Sequence, residues 1–140
     1  INTDKEIIVE EFGFYKDVDT VEKRLNIIAS NLSDSQFKNL PIELIGIEEI
    51  DGKKVATFNL KENEENLNKP DWSEYSEPSW ANNFFQGSAG GGWTCYTLQT
   101  TMLQPDYDGE WIDGVRFLYN GEENKYFQHI EGLDRIKYRY

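Results

Sequence analysis

Three residue types are nearly absent from this chain: it has one cysteine (Cys95), one histidine (His129) and one methionine (Met102). A lone cysteine excludes an internal disulfide, and it leaves a thiol nucleophile with a single candidate base among histidines. Positive charge is also scarce. Fourteen Lys and Arg stand against 26 Asp and Glu, for a net charge of −12 and a pI near 4.4. Phosphate backbones are held by clustered Lys and Arg, so sequence-independent nucleic-acid binding is excluded, and docking of the domain on an anionic membrane surface is disfavoured. No run of about 18 apolar residues exists, so no transmembrane helix is expected. Cysteine usage leaves the compartment open, since both a cytoplasm and a Gram-positive cell surface suit such a chain. The chain opens on Ile1 rather than methionine, as expected of a chain from which a signal or lipoprotein leader has been removed.

What is present supports a folded domain. Aromatics make up 14% of 140 residues, enough for one core despite 29% charged residues. No internal repeat is evident. The organisation expected is one domain over 1–140, with an acidic, aromatic insertion at 61–83 and an edge strand or linker at 122–140.

The stretch Phe84–Gln104, FFQGSAGGGWTCYTLQTTMLQ, is the most informative. It reads as a glycine turn (Gly87, Ser88, Gly90, Gly91, Gly92) leading into a helix over Trp93–Gln104, which Pro105 stops. The spacing Gly87-x4-Gly92 is that of a phosphate loop, but Trp93 and Thr94 stand where Lys and Ser/Thr belong, so no nucleotide is expected. Cys95 would lie in the first helical turn, where unpaired N–H groups lower a thiol pKa. Ser88 can cap the helix, and Cys95, Leu98, Met102 and Leu103 form an apolar stripe opposite Thr97, Gln99, Thr100 and Gln104.

Along the rest of the chain, Glu6–Tyr15 reads as a strand. Asp19 and Glu22 form a capping box for a helix whose apolar face is Val21, Leu25, Ile28, Ala29 and Leu32, with Ser33-Asp34-Ser35 breaking it. Ile42–Ile50 and Lys54–Leu60 are strands joined by an Asp51-Gly52 hairpin, with Ala56, Phe58 and Leu60 on one face of the second. The acidic insertion carries Trp72, Tyr75 and Trp80, which either pin it to its own domain or form a docking surface with Phe84 and Phe85. Asp106, Asp108 and Glu110 lack the remaining positions of a calcium loop, so no metal is expected. Ile112–Tyr119 is a strand, Asn120-Gly121 a hairpin turn from which Tyr126–Ile130 pairs back, and Ile136–Tyr140 an edge strand or linker.

The order strand–helix–strand–strand–helix–strand implies an α+β fold, with two helices on one face of a small mixed sheet of three or four strands. The blocks Lys54–Leu60, Gly87-Ser88-Ala89-Gly90, Leu98–Leu103 and Ile112–Gly121 follow one another in the order and spacing of a known family. Through them, residues 5–121 resemble the GerMN domain of sporulation and spore-germination proteins and bacterial lipoproteins. The chain departs from that pattern at Gly91, where the family has an acidic residue, and in its long insertion. The resemblance implies a non-catalytic module, similar in fold to ring-building domains, with no cofactor and no catalytic residues. It implies a protein partner in the cell envelope or self-association, and a place outside the membrane of a Gram-positive-type bacterium, held by an upstream lipid anchor. Two other readings stand beside it: a glycan- or peptide-binding module using Trp72, Tyr75, Trp80, Phe84 and Phe85, and a thiol enzyme using Cys95 and His129.

Overall fold

The computed structural model describes residues 20–107, 109–123 and 127–139. The expected strand Glu6–Tyr15, the expected cap Asp19, Asp108, and Tyr126 and Tyr140 of the last two expected segments lie outside them. Among the described residues the elements are α1 (Val21–Gln36), the strands β1 (Ile42–Ile50) and β2 (Lys53–Leu60), α2 (Ser88–Leu103), β3 (Gly114–Tyr119) and the short β4 (Lys137–Tyr138). The strands form one mixed sheet in the order β1-β2-β3-β4. β1 pairs antiparallel to β2, β2 parallel to β3, and β3 antiparallel to β4. The α+β class is as the sequence indicates, and among the described residues β4 stands at one edge of the sheet.

The sheet's register follows from its sequence. Asp51 and Gly52 both have positive φ (52° and 79°), the geometry of a two-residue turn that matches strand twist. In β2 the side chains of Ala56, Phe58 and Leu60 share one face and pair with Val115, Phe117 and Tyr119 of β3. Phe58 and Phe117 stack with centroids 5.4 Å apart. In β1 the alternation breaks: the register shifts between Leu44 and Gly46, so Ile45 is an extra residue. The bulge lets Ile42 and Leu44 before it, and Ile47 after it, all join the core, while Ile45 is left 57% exposed. Leu25, Ile28, Ala29 and Leu32 of α1, and Leu98, Met102 and Leu103 of α2, complete that same core.

Several local expectations are corrected. The N-cap of α1 is Thr20, whose hydroxyl accepts from Lys23 N at 3.1 Å. The helix also runs through Ser33-Asp34-Ser35 to Gln36, because the Ser33 hydroxyl turns inward and donates to the Leu40 carbonyl. α2 starts at Ser88, five residues early, so the glycines belong to the helix and only Gly87 (φ 76°) forms the turn before it. Thr97 and Gln104, expected on a polar outer face, are 3% and 2% exposed, since α2 is buried on more than one side. Asn120 and Gly121 make the expected turn (φ 49° and 80°), and among the described residues only Tyr119 and Glu122 bridge across it. Residues 128–130 form a 3-10 turn instead of a return strand.

Candidate functional site

The insertion is built on a buried carboxylate. Glu62 lies two residues beyond Leu60, the end of β2, and is 3% exposed. Its Oε1 accepts from the backbone N–H of Asn63 at 3.0 Å and of Trp80 at 3.1 Å. Its Oε2 accepts from the Ser79 hydroxyl at 3.1 Å, Ala81 N–H at 3.2 Å and the Tyr119 hydroxyl at 2.7 Å. Three backbone amides and two hydroxyls thus compensate the desolvated charge, two of those amides opening the π-helical turn Trp80–Phe84. One residue therefore ties the end of β2, the far end of the insertion and the end of β3 together. Burial, then the Glu62 hydrogen bond and charge, hold the Tyr119 hydroxyl well above the ordinary phenol range.

Side-chain amides close the rest of the loop. Asn66 exchanges two hydrogen bonds with Ser76 (2.9 and 2.7 Å), Asn63 donates to the Pro78 carbonyl, and Asn82 donates to the Trp72 and Tyr75 carbonyls. Trp80 and Phe85 are fully buried and pack at 6.0 Å between centroids. The insertion is thus pinned to its own domain, and Trp80 and Phe85 offer no face to a ligand. Of the five aromatics expected on one surface, Trp72 is 37% exposed and Tyr75 and Phe84 are half-buried. Trp72 packs on Phe127 at 6.2 Å and Phe84 on Phe37 at 4.9 Å, at opposite ends of a run of ring contacts through the buried Phe85 and Trp80.

Cys95 is the eighth residue of α2, beyond the first turn where the helix dipole and free N–H groups act. It is partly buried against the core, and that burial pushes its thiol pKa up. This is the opposite of activation. His129 is exposed, and its backbone lies against Gly91: a Cβ at Gly91 would stand 2.5 Å from His129 Cβ and from its carbonyl oxygen. Gly90 and Gly92 have open space around them. Of Gly90, Gly91 and Gly92, only Gly91 serves a close approach. Among the described residues no group of three or more His, Cys, Asp or Glu could hold a metal ion.

One surface was not anticipated. α2 has the sequence SAGGGWTCYTLQTTML, sixteen residues without a charge, in a chain where 29% of residues are charged. Trp93 and Tyr96, one turn apart, are 37% and 40% exposed, with Ala89 and Gly92 exposed beside them. Trp93 rests on Phe37 at 5.5 Å between centroids, and Phe37 in turn contacts Trp80 and Phe84. One side of the Trp93 indole is thus fixed by the core while the rest is offered to solvent. The sequence signal for this face was the absence of charge on α2, which reads equally as a buried helix.

No family model, curated protein or solved structure matches the chain.

Proposed function

We propose that this chain is a non-catalytic interaction or assembly module of the bacterial cell envelope, as the resemblance to GerMN domains implies, and that the outward face of α2 is its contact surface. The observation that carries this is the uncharged, aromatic exposed face of α2. Interface centres are depleted in charge and enriched in Trp and Tyr, and side chains already held by a core lose little freedom on binding. The module works outside the membrane, held by an anchor upstream of the chain. No helix among the described residues is long and apolar enough to cross a membrane.

The partner is a neighbouring copy or another envelope protein, and salt distinguishes them. Copies carrying −12 each repel, so self-association through α2 strengthens as salt screens that charge. Association with a basic protein weakens under the same change. Sedimentation velocity across protein and salt concentration, with cross-linking in cells, tests the reading. Trp93→Ala with Tyr96→Ala should weaken association by about 10- to 100-fold while leaving the circular dichroism unchanged. An association that survives both substitutions, or a chain that stays monomeric at millimolar concentration and captures no partner in cells, would refute it.

A further inference from the structure

A second surface lies at the other end of the sheet. Among the described residues β1 is an edge strand, with β2 on one side only. Its first half borders a groove of about 440 Å³ against α1. The α1 wall is Asn26, Ala29, Ser30 and Ser33, a polar, short-chained strip at i, i+3, i+4 and i+7, and the strand side is Ile42, Glu43 and Leu44. An open strand edge beside a helix wall is the geometry in which an extended peptide adds as a further strand, main-chain bonds giving affinity and alternate side chains giving specificity.

The charges on the edge select what can add. β1, IELIGIEEI, carries Glu43, Glu48 and Glu49 and no cation. Edge strands are commonly guarded by charge, and here the guard has one sign. Two copies laid edge to edge would oppose carboxylates, so self-pairing is disfavoured, while a basic strand is attracted. Glu43 is available for this: its side chain is half-exposed, and its contact with Lys61 is a loose 3.8 Å. The bulge at Ile45 interrupts a continuous ladder along the edge, and the groove borders the segment before it.

We infer that the groove between α1 and the edge of β1 binds an extended, basic peptide segment of another protein, which pairs with Ile42–Leu44. Ile42 and Leu44 point to the core face and Glu43 to the opposite one, so the added strand alternates in step. Side chains on its α1 side meet Ala29, Ser30 and Ser33, which suit small residues. Side chains on the other face come beside Glu43, which suits Lys or Arg. This site is separate from the α2 face and stands or falls independently of it.

The test uses the full chain, 15N-labelled, and a capped nonapeptide of alternating serine and lysine. Amide shifts confined to residues 26–33 and 39–44 are expected. Methylating alternate peptide nitrogens should weaken binding about tenfold or more, because it removes ladder hydrogen bonds while keeping the charge. Glu43→Gln should weaken it about two- to fivefold. Ser30→Tyr, which fills the groove from an exposed position, should abolish it. The inference is overturned if the methylated peptide binds equally well, if shifts scatter over other acidic surfaces, or if nothing binds at millimolar peptide. It is equally overturned if nuclear Overhauser contacts show the outer edge of Ile42–Leu44 already paired with residues of this same chain.

Discussion

Substituting each of Gly90, Gly91 and Gly92 by alanine separates helix propensity from tertiary contact. All three lie in α2, so each replacement removes the backbone-entropy penalty of glycine, about 0.5–1 kcal/mol. At Gly90 and Gly92 a new Cβ meets nothing within 4 Å, so the gain stands alone and both variants should be more stable. At Gly91 the new Cβ would lie 2.5 Å from His129 Cβ and carbonyl oxygen and 2.8 Å from its carbonyl carbon. Carbon atoms pack best at about 3.5–4.0 Å, so the turn 128–130 must move by about an ångström. Two of these three atoms are main-chain, so no side-chain rotation relieves the contact. Overpacking of this kind costs about 1–3 kcal/mol. The difference between Gly91→Ala and Gly90→Ala cancels the propensity gain and reads the contact directly. Urea denaturation should place Gly91→Ala about 1–3 kcal/mol below Gly90→Ala, and thermal melts roughly 3–10 °C below it. Equal stability of the two variants would refute the close approach of α2 to residue 129, and with it the reason given for Gly91.

Other expectations follow from the buried carboxylate and the thiol. Glu62→Gln keeps one acceptor but points an amide at backbone N–H groups that cannot turn away, and should cost about 2–4 kcal/mol in urea; a neutral substitution would mean that Glu62 is not the anchor of the insertion. The raised pKa of Tyr119 makes its contribution to stability fully present below pH 10 and progressively lost as pH rises above it, because the unfolded phenol ionises first. Tyr119→Phe should therefore flatten the alkaline fall in stability, and an unchanged alkaline limb would contradict the Tyr119–Glu62 bond. Because the Cys95 thiol is pushed up, its reaction with a chromogenic disulfide should be slow at pH 7 and accelerate only well into alkaline pH or on unfolding; fast labelling at pH 6 would restore the thiol-enzyme reading.

How far the sequence could be read depended on how local each cause was. The Asp51-Gly52 turn, the faces of β2 and the apolar stripe of α1 rest on neighbouring residues, and they stand in the structure as expected. The start of α2 does not, because Gly91 is required by His129, 38 positions away, and glycine in a sequence signals a turn first. Polar residues misled for the same reason. Ser33 reads as a helix breaker, yet its hydroxyl is satisfied by Leu40. Glu62 sits in an acidic run that reads as solvated surface, yet its five donors come from 63, 79, 80, 81 and 119. Trp80 and Phe85 illustrate a related ambiguity: sequence gives an aromatic no direction, and only their packing shows that they pin the insertion instead of presenting it.

The claim that the outward face of α2 is the contact surface is tested most directly by placing a photo-crosslinking amino acid at position 93 or 96 in the native cell. Position 23, exposed on α1, serves as the control. The account predicts a discrete cross-linked species from 93 and 96, to a second copy or to one envelope protein, and none from 23. Cross-links absent at 93 and 96, or equally abundant at all three positions, would contradict it.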